Sequence, residues 1–260
     1  MKVWLRQLNA LATLAVLELY RRKDLVVVGL LSVCILGPLA LFAPFGVHGA
    51  SRYMNELALL LIWIFSGVIA LSVAARLFPP EFENRTIFPL LAKPVGRGTL
   101  LLGKYLGACV ASCSVLAVFY LIYGLLTGLR QGGWFPEVLI QAFVLHIGFV
   151  LIVTALGLLG SLILTASANL TLCGMLIAGM LFYGQRLPAL AATQSAPTNV
   201  ILTVLNGIGP HLEFFDLRQR VVHEWGAVGW SVCFAALAYA VVYVSLCLLL
   251  ASRLFRRRKL

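Results

Sequence analysis

Gly98, Gly103 and Lys104, inside the stretch GRGTLLLGKY at 96–105, have the spacing of a G-x-x-x-x-G-K loop, whose backbone amides and lysine hold nucleotide phosphates. The neighbouring residues oppose that chemistry. Tyr105 stands where a Ser or Thr hydroxyl would hold Mg²⁺, and Thr99-Leu100-Leu101-Leu102 is bulky where close backbone approach favours small side chains. Pro94, Gly96 and Gly98 also rule out a preceding strand. The chain is therefore not expected to be an enzyme or to bind a nucleotide itself. Glu81, Glu83 and Arg85 in PEFENR faintly resemble a protease acid motif, but the two acids are not adjacent and lie outside the apolar runs. Cys109 and Cys113, four apart, either offer a soft-metal pair or act as small hydrophobes. His211 and His223 are twelve residues apart with no further clear ligand, so no metal site is expected. His146, in the middle of an apolar run, either relays a proton or hydrogen-bonds a neighbouring helix.

The rest of the chain gives these groups their setting. Of 260 residues, 62% are hydrophobic and 11% charged, with a mean hydropathy of +1.00. A soluble domain carries about 25% charged residues, so this composition implies an integral membrane protein. All six cysteines fall within apolar runs, which argues against a disulfide framework.

A membrane-crossing helix needs about 20 mainly apolar residues. Six stretches qualify: 25–43, 57–77, 105–127, 138–164, 170–186 and 227–250. Residues 1–24 instead alternate Lys2, Arg6, Asn9 and Thr13 with apolar residues at helical spacing, as expected of a helix lying in the membrane interface. With the N-terminus inside, the inner segments hold fifteen of the twenty basic residues and four of the nine acids. The inner side thus carries the whole net charge of +11, which places both termini in the cytoplasm of a plasma, or bacterial inner, membrane. Nucleic acid is not needed to explain the basicity. The sequons at Asn84 and Asn169 fall on the inner side, where no glycan is added.

The span interiors hold no Asp, Glu, Lys or Arg, which argues against an ion-coupled carrier. Gly103 and Gly107, Gly124 and Gly128, and Gly157 with Ser161 supply small faces for close helix packing, within one chain or across a dimer. Ser66, Ser112, Ser114, Tyr120, Tyr123, Thr154, Ser161 and Thr165 add modest polarity, suited to an amphipathic or apolar passenger.

Residues 78–104 form the one sizeable inner loop. Pro79-Pro80 stops the second span, and Glu81 to Ala92 can form a short amphipathic helix with Ile87, Phe88, Leu90 and Leu91 as apolar knobs. Pro94 ends that helix, Gly96 and Gly98 turn the chain, and Lys104 is expected at the membrane surface. The run E-x-E-x-x-T-I-x-x-L-L-A-K-P-V-x-R-x-x-L-L-x-G-K at 81–104 resembles the first cytoplasmic loop of type-2 ATP-binding-cassette (ABC) exporter permeases.

The resemblance implies an all-α membrane protein: six transmembrane helices preceded by an interfacial N-terminal helix, with a short cytoplasmic coupling helix and an outer re-entrant segment before the last span. Residues 1–260 would form one permease domain. Its parts are the elbow helix 1–24, spans one and two (25–77), the coupling loop 78–104, spans three to five (105–186), the outer loop 187–226, span six (227–250) and a basic tail, 251–260, suited to anionic lipid. By position, Glu81, Glu83, Arg85 and Thr86 would lead into the coupling helix, Ile87, Leu90 and Leu91 would be its buried face, and Lys93, Pro94, Arg97, Gly103 and Lys104 would close it. The implied partners are a second permease copy and cytosolic ABC ATPase subunits that carry ATP and Mg²⁺; the chain itself binds no cofactor. Most ATPase contact would fall on 78–104 and the N-terminal helix, because the second inner loop, 165–169, is short and uncharged. The alternatives are a stand-alone scaffold or passive pathway without an ATPase, or a proton-linked carrier using His146.

Overall fold

The computed structural model describes residue 13, residues 50–84, 96–131, 135–186, 189, 192, 196–223 and 225–257. Apart from Thr13, the expected interfacial helix at 1–24 and first span at 25–43 lie outside these residues. The described residues form helices and contain no strand. Among them, five helices are long and apolar enough to cross a membrane.

The second expected span is α1 (Ala50–Ala75). Its last turn tightens, with the Leu77 amide donating to the Ala74 carbonyl at 3.3 Å, before Pro79 and Pro80 open a new short helix, α2 (Pro79–Glu83). Prolines suit the first turn because the amides they lack would be unpaired there. The helix expected over 81–92 is described only as far as its cap, Asn84; residues 85–92 lie outside the described set.

The third span, α3 (Arg97–Gln131), starts eight residues before the expected 105. Gly98 does not turn the chain but lies in the first turn of this helix. Its 35 residues extend about 52 Å, well beyond a hydrocarbon core of about 30 Å, so α3 projects beyond it. The fourth span is α4 (Glu137–Ser161), opened by Pro136 with Glu137 in its first turn. The fifth, α5 (Ala166–Tyr183), begins at Thr165, whose hydroxyl accepts from the Ala168 amide at 3.5 Å. The expected inner loop 165–169 is thus mostly the first turn of α5. The last span, α8 (Trp230–Arg257), runs seven residues past its expected end.

Helix α4 is the hub, packed against α1, α3, α5 and α8. Its most apolar stretch is 67% buried, against 17% for α5 and 22% for α8. A helix that is apolar all round belongs in such a central position. Gly157 is where α1 and α4 touch: a Cβ there would lie 2.7 Å from the Ala74 Cβ. The Asn169 side chain fills the space beside Gly160 and donates to the Gly157 carbonyl at 2.7 Å. Gly124 accommodates the Phe135 ring, whose residue adopts a left-handed φ of 48°. Gly103, Gly107 and Gly128 are buried along α3, and Ser161 bonds back to Leu158 of its own helix. These contacts place the Gly124, Gly157 and Gly160 faces against neighbours in the same chain.

On the side away from Lys104, α6 (Ala196–Ile208), a 3-10 turn (Leu212–Phe215) and α7 (Arg218–Val222) reach into the bundle, where the Ile208 carbonyl accepts from the Tyr243 hydroxyl at 3.1 Å and the His211 amide donates to the Tyr239 hydroxyl at 3.0 Å. The buried Phe215 ring sits beside Gly148, where a Cβ would be 2.7 Å away. Gln141, fully buried, accepts from the Val228 amide at 3.0 Å and donates to its carbonyl at 2.8 Å. The described part of the expected outer loop, 187–226, is thus divided into short segments, of which α7 packs onto α1 and α4 and the 3-10 turn onto α4.

Candidate functional site

The basic end of the bundle brings three helix ends together. Lys104, in the second turn of α3, points inward and is 8% exposed rather than lying at the surface. Its Nζ donates to the Leu77 carbonyl at 2.6 Å and pairs with Glu81 Oε1 at 2.6 Å. The same ammonium sits 4.8 Å over the Phe78 ring. A carbonyl left open by the turn after α1, a carboxylate and an aromatic face thus all receive one cation. Glu83, two residues further along α2, is exposed.

Arg97, in the first turn of α3, reaches the far end of the chain. Its Nη1 donates to the carbonyls of Phe255 at 3.3 Å and Arg256 at 3.2 Å, and its guanidinium lies 5.9 Å from the Phe255 ring. These carbonyls belong to the last turn of α8, where the helix leaves them without internal partners and the dipole favours a cation. Phe255 is 1% exposed and packs against Phe78, which stacks on Phe82. Leu100, Leu101, Tyr105, Leu158 and Ala251 complete a small apolar core beneath.

The phosphate-loop skeleton is resolved by this geometry. Gly98 to Lys104 are helical, the bond of the Leu100 amide to the Gly96 carbonyl at 3.0 Å already belongs to the helix, and the lysine is committed to Leu77 and Glu81. Of the residues assigned by resemblance to ATPase coupling, Glu81, Glu83, Arg97 and Lys104 are described. Arg85, Thr86, Ile87, Leu90, Leu91, Lys93 and Pro94 lie outside the described residues.

Midway along the bundle, His146 is fully buried and makes contacts on both sides of its ring. Nε2 lies 2.7 Å from Ser66 Oγ, and Nδ1 lies 3.1 Å from the Tyr120 hydroxyl. Ser66 donates its own proton to the Trp63 carbonyl at 3.0 Å, so toward His146 it accepts. A neutral ring carrying its proton on Nε2 satisfies every partner. Trp63 stacks on Phe149 at 4.0 Å, and Arg218, bound to Asp216 through two side-chain bonds, lies 5.0 Å from the Trp63 ring.

Ser114 and Thr154 bond back to their own helices, while Ser114 and Thr165 are exposed. Among the described residues, no three His, Cys, Asp or Glu side chains come together as a metal site. His211 stacks with Phe214 near Tyr239, and His223 meets Trp225 and the Gln219 carbonyl.

The family model described as ABC-2 family transporter protein matches residues 10–260. The chain belongs to the ABC-2 transporter family. No curated protein matches it. Membership makes this ABC-2 protein a membrane subunit of an ABC transporter and, with five apolar helices of spanning length, a multi-pass membrane protein.

Two features of this ABC-2 protein escaped sequence reasoning. The first is the partnership of Lys104 with Glu81 and Leu77, which joins residues more than twenty positions apart through a turn whose shape is set by Pro79 and Pro80. The second is the aromatic group Phe78, Phe82 and Phe255. The flanking of PPE by two phenylalanines is its signal within the loop, but nothing local marks Phe255 as their partner.

Proposed function

We propose that this chain is the permease subunit of an ATP-driven exporter, forming half of the substrate pathway and receiving energy from a separate cytosolic ATPase docked on residues 78–104. The basic end then faces the cytoplasm, and a second permease copy completes the pathway. ATP and Mg²⁺ belong to the partner. The observation that carries this reading is the anchoring of both described ends of the loop. Glu81 is held by Lys104, and Arg97 is held by the end of α8, so residues 85–95 are bracketed by fixed points. A segment that receives force from a partner needs such anchorage to pass it on. The proton-linked alternative is disfavoured because the chain Tyr120–His146–Ser66 ends on the Trp63 carbonyl, which cannot pass a proton on.

The test is to purify the tagged chain from its native host in mild detergent and identify what accompanies it. Glu83→Lys with Leu90→Asp leaves the Glu81–Lys104 pair untouched. An ABC ATPase that accompanies the unmodified chain and is lost from this variant supports docking on the loop. Absence of any ATPase, even after crosslinking, turns the reading toward a scaffold or passive pathway.

A further inference from the structure

We infer that Arg97 is a positioning residue that fastens the coupling segment to the last helix, so that displacement of residues 78–104 is passed to α8. The inference rests on the docking reading above and adds where the motion goes. Three observations meet at Arg97. It occupies the first position of α3, directly after the bracketed segment, so it moves with whatever that segment does. It binds two successive carbonyls of α8, 158 and 159 residues away in sequence, with one planar guanidinium. And the ring it covers, Phe255, is buried against Phe78 in the turn that opens the other side of the segment.

Both ends of the coupling segment therefore converge on the last turn of one helix. Both bonds leave one nitrogen, Nη1, whose two hydrogens reach the adjacent carbonyls while the flat guanidinium stays near the Phe255 ring, an arrangement that a compact, strongly hydrated ammonium on a flexible stem does not reproduce. Helix α8 is also placed to respond. Along its length Val241, Val242, Leu246, Leu249 and Leu250 are exposed, and most of its packing is against the hub α4. A helix held along one side and gripped at its end can shift as a unit, while α4, enclosed on several sides, cannot shift without disturbing the whole core.

The experiment uses the permease–ATPase complex with a fluorophore attached at Arg253→Cys, an exposed position of α8 outside the clamp. The same labelling without that substitution supplies the background from native cysteines. In the unmodified complex, ATP is expected to change the fluorescence. In Arg97→Ala the change is expected to fall at least about five-fold while the ATPase still co-purifies. Arg97→Lys and Phe255→Leu are expected to give intermediate responses, and they carry the test if Arg97→Ala does not fold.

An undiminished response in the folded Arg97 variants overturns the inference and leaves docking intact. So does an unmodified complex in which ATP leaves α8 unchanged. Loss of the ATPase from the Arg97 variants alone also overturns it, because Arg97 would then be an ATPase contact. If no ATPase accompanies even the unmodified chain, the docking reading fails and the inference falls with it.

Discussion

The two polar clusters of this ABC-2 protein solve opposite problems. In the middle of the bundle, His146, Ser66 and Tyr120 join α4, α1 and α3 through neutral side chains that satisfy one another. At the basic end, Lys104 and Arg97 are charged, and much of what they bind is main-chain carbonyl. The difference follows from depth. In hydrocarbon every polar group needs a partner and a charge costs about 2.5–3.5 kcal/mol on insertion scales. Near a helix end, open carbonyls and a nearby carboxylate offer a cation compensation that mid-membrane helices cannot, because their carbonyls are already used.

Exchanging the chemistry of the two clusters is the strongest challenge to this contrast. His146→Lys places a cation whose hydrogen-bonding neighbours, Ser66 and Tyr120, are neutral, while the nearby Asp216 carboxylate is already paired with Arg218. It is expected to cost about 3 kcal/mol or more and to reduce membrane expression sharply, measured by immunoblot and thermal unfolding in detergent. Recovery of normal expression and stability would remove the depth argument.

Lys104→Met comes next. It strands the Glu81 carboxylate, whose second oxygen is already buried without a hydrogen bond, and opens the Leu77 carbonyl. A loss of about 3 kcal/mol is expected from breaking a largely buried pair. The double variant Lys104→Met with Glu81→Gln should recover part of it. A double-mutant cycle measures the coupling, and strict additivity would show that the pair contributes nothing.

His146→Leu tests the neutral cluster. It leaves the Ser66 and Tyr120 hydroxyls to find other partners, at an expected cost of about 1–2 kcal/mol by thermal unfolding. The smallest effect is expected for Tyr120→Phe, about 0.6 kcal/mol, the average for a hydrogen bond between membrane helices. A loss for Tyr120→Phe as large as that for Lys104→Met would erase the distinction between the clusters.

Much of the bundle was legible in the chain. Long apolar runs identify spans because each residue contributes to membrane transfer in proportion to its own side chain, whatever its neighbours in space. Helix ends were read less well, since α3 continues through Gly98 into the segment expected to be a loop. There the apolar Leu100 and Leu101 are buried beside Phe78 and Phe255, and that tertiary packing outweighs the local preference of glycine for turns. The small faces were recognised as packing sites, but whether Gly157 met another helix of this chain or a second copy depended on Ala74 and Leu71, which no spacing identifies.

The sequence by itself therefore determined that the chain is a helical membrane protein and that Pro79-Pro80 interrupts the helical path. Only the tertiary structure decided that Lys104 turns inward to Glu81, that Arg97 holds the last turn of α8, and that His146 is enclosed by Ser66 and Tyr120. The physical reason is the range of the interactions. Hydropathy and helix breaking act residue by residue along the chain, whereas a hydrogen bond or ion pair exists only between atoms within a few ångströms, and packing around α4 sets which atoms those are.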